Sequence, residues 1–365
     1  MTSPLSRLAV ALGALYLGIP CLAWGADADA PIIPRYVAAP PATEDMLALR
    51  GTRWVIGSAV SIGDEAVPGL YAISNSPPHL AQLAPNPRPL PAHSRCPAPL
   101  EAAAFSPLGM DLRMLENSRE LVVINRGGRH AVERFDLAIV DGVPALAWRD
   151  CVPLPEHISA NAVAVLATGE LYVTQQFDPR DARSWEKRVR GEPTGQVFRW
   201  TPQQDWSAAT ATALSTPNGL VVTEDGCRAF VAAWSSRQLV RQALPCEGGE
   251  EGGENAPDQV LDLPFMPDNL RWSAAGTLLV TGQDTTPPRL LECVREGRHC
   301  PERLNVMEID PDSLAVLQRW QLTGDPDLSL GTTAIDVGDE IWVSSILGRR
   351  IGRYARDHQP PDTGE

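Results

Sequence analysis

The chain has little that would suit a membrane or a nucleic acid. Beyond an apolar run near its start, none of the 365 residues belongs to a segment long and apolar enough to span a bilayer. Basic residues are in deficit, with 31 Lys and Arg against 45 Asp and Glu, a net charge of −14. Such a surface repels phosphate backbones, which makes nucleic acid a poor partner, although it is compatible with a bound divalent cation. No CxxC and no Cys/His cluster with zinc spacing occurs, which argues against a structural zinc. Capped helical patterns are nearly absent. The stretch DARSWEKRVRG at 181–191 is the one good helix candidate.

At the start, Arg7 precedes the apolar run LAVALGALYLGIPCLAW, and small residues follow at Ala23 and Gly25. That order reads as a secretory signal over residues 1–25. An uncleaved anchor is the competing reading, but the run is near the lower limit for a span. Pro20 before Cys21 speaks against lipidation. The chain is therefore expected to be exported, to the periplasm or the extracellular space. Without Cys21 six cysteines remain, an even number that suggests disulfides in an oxidising compartment. Cys293 and Cys300 bracket one short loop, Cys227 and Cys246 flank a hairpin, and Cys96 with Cys151 follows by elimination.

Six stretches share one shape. They are EDMLALRGTRWVIGS from Glu44, GMDLRMLENSRELVVIN from Gly109, NAVAVLATGELYVTQ from Asn161, NGLVVTEDGCRAFVAAW from Asn218, DNLRWSAAGTLLVTG from Asp268 and TAIDVGDEIWVSS from Thr333. In each, a short alternating strand leads through a polar turn to a second, apolar strand. Further strand candidates lie between them: GLYAIS, AVERFDLAIV, GQVFRWTP, RQLVRQAL and NVMEIDPDSLAVLQRW. The repeat interval is that of propeller blades with generous loops, whereas a sandwich would not repeat one hairpin six times. The expected fold is all-β, a six-bladed β-propeller over residues 42–356. Residues 26–41 read as a Pro- and Ala-rich tether and 357–365 as a tail. Residues 75–99 read as a Pro-rich loop and 247–255 as an acidic, mobile one.

In a propeller the innermost strands run the same way, so their first residues meet at one mouth. Glu44, Asn161, Asn218, Asp268 and Asn269 occupy those positions. Asn and Asp also cap ordinary turns, and for a single residue that explanation suffices. Five at equivalent repeat positions point instead to a hard, oxygen-only cage of the kind that suits calcium. Packed carboxylates would repel one another without a cation between them.

On these residues, together with FSPLGMDL, ELVVINR, RSWEKRVRG and GTTAIDVGDEIWVSSILGRRIGRY, the sequence resembles the paraoxonase/arylesterase family. More distantly it resembles the gluconolactonase and strictosidine-synthase-like propellers. The resemblance implies one calcium held by Glu44, Asn161, Asn218, Asp268 and Asn269, and hydrolysis of small-molecule lactones or esters. Two departures stand out. The family histidine proposed to activate water falls on Leu108, and its partner falls on Arg126. A leucine cannot move a proton, and an arginine keeps its own. The family's second calcium would need Asp45, Ala162 and the Met110 carbonyl. Ala162 offers no side-chain oxygen, so that site is expected to be weak or empty. Catalysis would then rest on Asp268, as base or nucleophile, with Asn218 beside it. Arg126 and Leu108 would face the substrate, Arg126 gripping a carboxylate or oxyanion. His130 and His157 read as turn or solvated residues, and Trp54, Trp272 and Trp342 as packing residues. The alternative is a non-catalytic propeller, stabilised by calcium, that binds a small ligand or a protein.

Overall fold

The computed structural model describes residues 34–356 except 63–65, 87, 93, 117, 247–256, 298 and 301. Residues 1–25, read as a secretory signal, the expected tail at 357–365 and the stretch 247–255 lie outside the described residues. Six four-stranded antiparallel sheets form a six-bladed β-propeller. Its inner strands are Thr43–Ala48, Pro107–Met114, Ser159–Val165, Pro217–Val222, Met266–Trp272 and Gly331–Val337, and they define blades 1 to 6. Each contacts the next, and the last returns to the first.

The continuous apolar runs follow from the strand's period of two. Successive side chains leave a blade through opposite faces, and here both faces meet a neighbouring blade. Leu121 and Val123 of blade 2 join a core cluster with Trp54 and Ile56 of blade 1. Val122 and Ile124, one residue out of phase, pack with Val163 and Val173 of blade 3. Blade 4 repeats the scheme, sending Ala229 and Val231 one way and Phe230 and Ala232 the other. Blades 5 and 6 share Leu304, Trp320 and Tyr354, and blades 6 and 1 share Met46, Ile335 and Trp342. The core is thus six wedges between six blades, which leaves the axis free for polar residues.

The ring closes through residues expected to lie outside it. Arg35–Ala38 is the outer strand of blade 6, antiparallel to Arg350–Ala355. The tether reading therefore ends before Arg35. Four residues flanked by prolines carry too little alternation to announce a strand. Likewise Pro78–Leu83, read as part of a Pro-rich loop, is the outer strand of blade 1. The helix candidate is present as α1, Ser184–Arg190. A second helix, α2, spans Pro287–Glu296, with Pro at its first turn and Gly297 in the left-handed region at its end. Cys293, expected at the edge of a short loop, lies in this helix. The three disulfides pair as expected: Cys96–Cys151, Cys227–Cys246 and Cys293–Cys300. Trp54 and Trp342 are buried in the blade wedges, and Trp272 packs against one.

Candidate functional site

Every inner strand breaks register with its neighbour at the same step. The breaks fall between 43 and 45, 107 and 110, 160 and 163, 217 and 220, 267 and 270, and 331 and 334. Such bulges re-aim side chains that a regular ladder would send into the blade faces. The residues they release are Glu44, Leu108, Asn161, Asn218, Asp268 with Asn269, and Thr332 with Thr333. All are buried. The strands also approach closely here. A Cβ on Gly109 would lie 2.5 Å from the Asn161 carbonyl oxygen, and one on Gly219 2.5 Å from that of Asp268. Three inner strands are entered through left-handed residues other than glycine: Ala42 (φ 57°), Thr216 (φ 51°) and Leu330 (φ 59°). Each costs about 1–2 kcal/mol, strain of a kind that gathers at functional sites.

Glu44, Leu108, Arg126, Asn161, Asn218 and Asp268 all line one cavity of about 660 Å3. Asn269 lies against it, its Nδ2 donating to Glu44 Oε1 at 3.2 Å and to Thr333 Oγ1 at 3.0 Å. The five expected ligand residues and both expected substrate-facing residues therefore come together. Neither His130 nor His157 joins them. The His157 carbonyl accepts from Gln175 at 2.6 Å and its ring packs on Phe198.

The donor set is short of hydrogen-bond partners. Glu44 Oε2, Asn161 Oδ1 and Asn218 Oδ1 are buried oxygens with no hydrogen bond, although such groups are nearly always paired. Gln283 Nε2 donates to Asp268 Oδ2 at 2.6 Å, which orients that carboxylate. Burial pushes the Asp268 carboxyl up to about 7, with the Asp45 charge adding and hydrogen bonds from Gln283 and Asn218 opposing. The Glu44 carboxyl is pushed well above the usual range, first by burial and then by Asp45 and Asp268. Two crowded carboxyls and three unpartnered oxygens are what a hard divalent cation would satisfy, so the residues fit calcium.

The residues assigned by resemblance to a second calcium have another occupant. Arg271, on the inner strand of blade 5, crosses the axis. Its Nη2 contacts Asp45 Oδ2 and donates to the Met110 carbonyl at 2.9 Å, while Nε donates to the Met46 carbonyl at 3.0 Å. Asp45 also accepts from the backbone N–H of Met46 and of Met110. A guanidinium thus takes both of the oxygen donors named for that ion. Sequence reasoning missed Arg271, although it stands two residues after Asn269.

The walls hold more that the sequence did not announce. Loops before the inner strands and after the second strands meet at the mouth, because neighbouring strands are antiparallel. The end of the second strand of blade 3 brings Gln176 to the cavity, α1 in the connection after it brings Trp185 and Arg188, Trp234 follows the second strand of blade 4, and α2 adds Leu290 and Arg295. Cys293 and Cys300 lie near Glu302, but their sulfurs are bonded to each other, which leaves no thiolate there to ligate a metal.

No protein-family model matches the chain, and no curated protein matches it in sequence. Solved structures do match in fold. A luciferin-regenerating enzyme is 10% identical, with a TM-score of 0.53 over 88% of this chain and 94% of that one. A calcium-binding protein, regucalcin, from Agrobacterium tumefaciens is 12% identical, with a TM-score of 0.48 over 91% and 89%. A glucose dehydrogenase is 10% identical, with a TM-score of 0.48 over 89% and 100%. At such identities the likeness is one of fold; the six four-stranded sheets themselves put the chain in the class of six-bladed propellers.

Proposed function

We propose that the chain is an exported, calcium-dependent hydrolase of lactones or esters, similar in its site residues to the paraoxonase/arylesterase family. The observation that carries this reading is the set of three buried, unpartnered oxygens, from Glu44, Asn161 and Asn218, facing an open cavity beside Asp268. Glu44, Asn161, Asn218, Asp268 and Asn269 would hold the ion. When bound, calcium would polarise the substrate carbonyl as a Lewis acid and compensate the two carboxylates. The chain's own residues do the rest. Gln283 orients Asp268 through Oδ2, and the carboxylate would take a proton from water or attack the carbonyl. Leu108, Trp185 and Trp234 give the cavity apolar walls that hold the body of the substrate and exclude water. Three disulfides support export.

One observation favours a second reading. No histidine is among the described residues lining the cavity, so a non-catalytic propeller that uses calcium for stability is the rival. The deciding experiment measures turnover over a panel of lactones and aryl esters, with calcium and with a chelator, alongside thermal stability. Chelator-sensitive turnover that Asp268→Asn removes supports the hydrolase. Calcium-dependent stability with no turnover across the panel supports the rival.

A further inference from the structure

The cavity has a second tier. Above the acidic floor its wall carries Arg126, Arg188 and Arg295. Elsewhere in the molecule, partly buried guanidinium groups face carboxylates: Arg113 and Arg134 meet Glu120, Arg129 meets Glu133, Arg353 meets Glu340. The three cavity arginines have no such partner among the described residues. Arg126 donates through Nε to the Ala160 carbonyl at 2.8 Å and through Nη2 to Gln176 Oε1 at 3.4 Å, both neutral acceptors. Arg188, on α1, lies over the Phe177 ring at 4.7 Å and the Trp185 ring at 5.1 Å, and its buried Nε has no hydrogen bond. The Arg126 charge feels the Glu44 carboxylate first and the like charge of Arg188 second, and no carboxylate lies within ion-pair distance of either among the described residues.

Two desolvated like charges sharing a wall, with one buried donor unused, form the mirror image of the floor below them. The floor offers oxygens with no donor and the wall offers a donor with no acceptor. We propose that Arg126 and Arg188 form an anion subsite that grips a carboxylate on the ligand, so that this propeller acts on carboxylate-bearing lactones or esters rather than on neutral ones. The planar guanidinium fork matches a carboxylate in two-point contact. A single negative charge suits the wall, because the net charge of −14 opposes a more highly charged group. The ligand lies with its carboxylate at the wall and its carbonyl at the floor. Arg295, exposed on α2, adds positive potential at the rim.

This assignment deepens the hydrolase reading and relies on it only for turnover, so binding is tested separately. Calorimetry on the calcium-loaded protein would compare a lactam carrying a carboxylate with the same lactam carrying a primary amide. The carboxylate should bind about tenfold to a hundredfold more tightly, the worth of a hydrogen bond to a charged group. Arg188→Gln should erase most of that preference and Arg188→Lys should keep part of it. Arg126→Gln is the companion variant, with its far-ultraviolet dichroism checked because Nε supports the Ala160 carbonyl. If hydrolysis occurs, the ratio of kcat/KM for the acid over the amide should fall in step, mainly through KM. Equal binding of acid and amide by the wild type would overturn the subsite, as would a preference that survives both glutamine variants. Preference for the acid without any turnover would uphold the subsite and remove the hydrolase.

Discussion

Replacing Arg271 with Met gives the sharpest test of how the axis is held together. Arg271 joins three blades: it sits on blade 5, contacts Asp45 and the Met46 carbonyl of blade 1, and reaches the Met110 carbonyl of blade 2. Its side chain is 11% exposed and that of Asp45 2%. Methionine keeps much of the volume and removes the charge. Asp45 is then left buried without its cation, which costs about 3–5 kcal/mol. At roughly 2 °C per kcal/mol for a domain of this size, the melting temperature should fall by roughly 6–10 °C. Denaturant titration without calcium is the assay. The double variant Asp45→Asn with Arg271→Met should recover at least half the loss, because a pair removed together leaves no orphaned charge. Stability equal to wild type in Arg271→Met would refute the argument, as would a double variant no better than the single.

Asp268 makes the protein without calcium sensitive to pH. Its carboxyl lies at about 7 when folded and near 3.8 when free, so the folded state holds its proton more tightly. The contribution of this one group to stability without calcium is therefore full below pH 4 and is lost as pH rises to about 7, by roughly 4 kcal/mol in all. Asp268→Asn should flatten that curve, raise stability without calcium at pH 8 and abolish calcium-linked stabilisation, all read by thermal melts across pH. Gly219→Ala should cost about 1–3 kcal/mol and weaken calcium binding, since its Cβ meets the Asp268 carbonyl oxygen at 2.5 Å; denaturation and calcium titration of that variant check it. Among the disulfides, Cys96–Cys151 closes 55 residues and Cys293–Cys300 only 7. On chain entropy, double Ala variants should lose about 4 and about 2 kcal/mol respectively, measured by denaturant unfolding.

The fold was legible because one hairpin recurs six times and each second strand is apolar on both faces, as a wedge between blades requires. The cage residues were legible because each opens a repeat, and side chains at equivalent positions of a ring must converge. What escaped notice departed from local rules for a local reason. Arg35–Ala38 is a strand only because the end of the chain lies beside it. The start of α2 reads Thr-Thr-Pro-Pro, which also signals a turn, and only the helix beyond it shows those prolines to be a first turn. Arg271 looked like an ordinary strand residue, because an arginine alternating with apolar neighbours normally faces solvent. Here the strand's alternate face is the propeller axis. PFMPDNLRW thus carries three roles in nine residues: Asp268 and Asn269 on the floor of the cavity, and Arg271 as the built-in cation beneath. A consequence follows for the mechanism. Asp45, next in sequence to Glu44, is held by the Arg271 guanidinium, a contact made wholly within the chain. The crossing ties three blades together through the chain's own groups, so on the proposed function a calcium held above it would serve the chemistry more than the assembly.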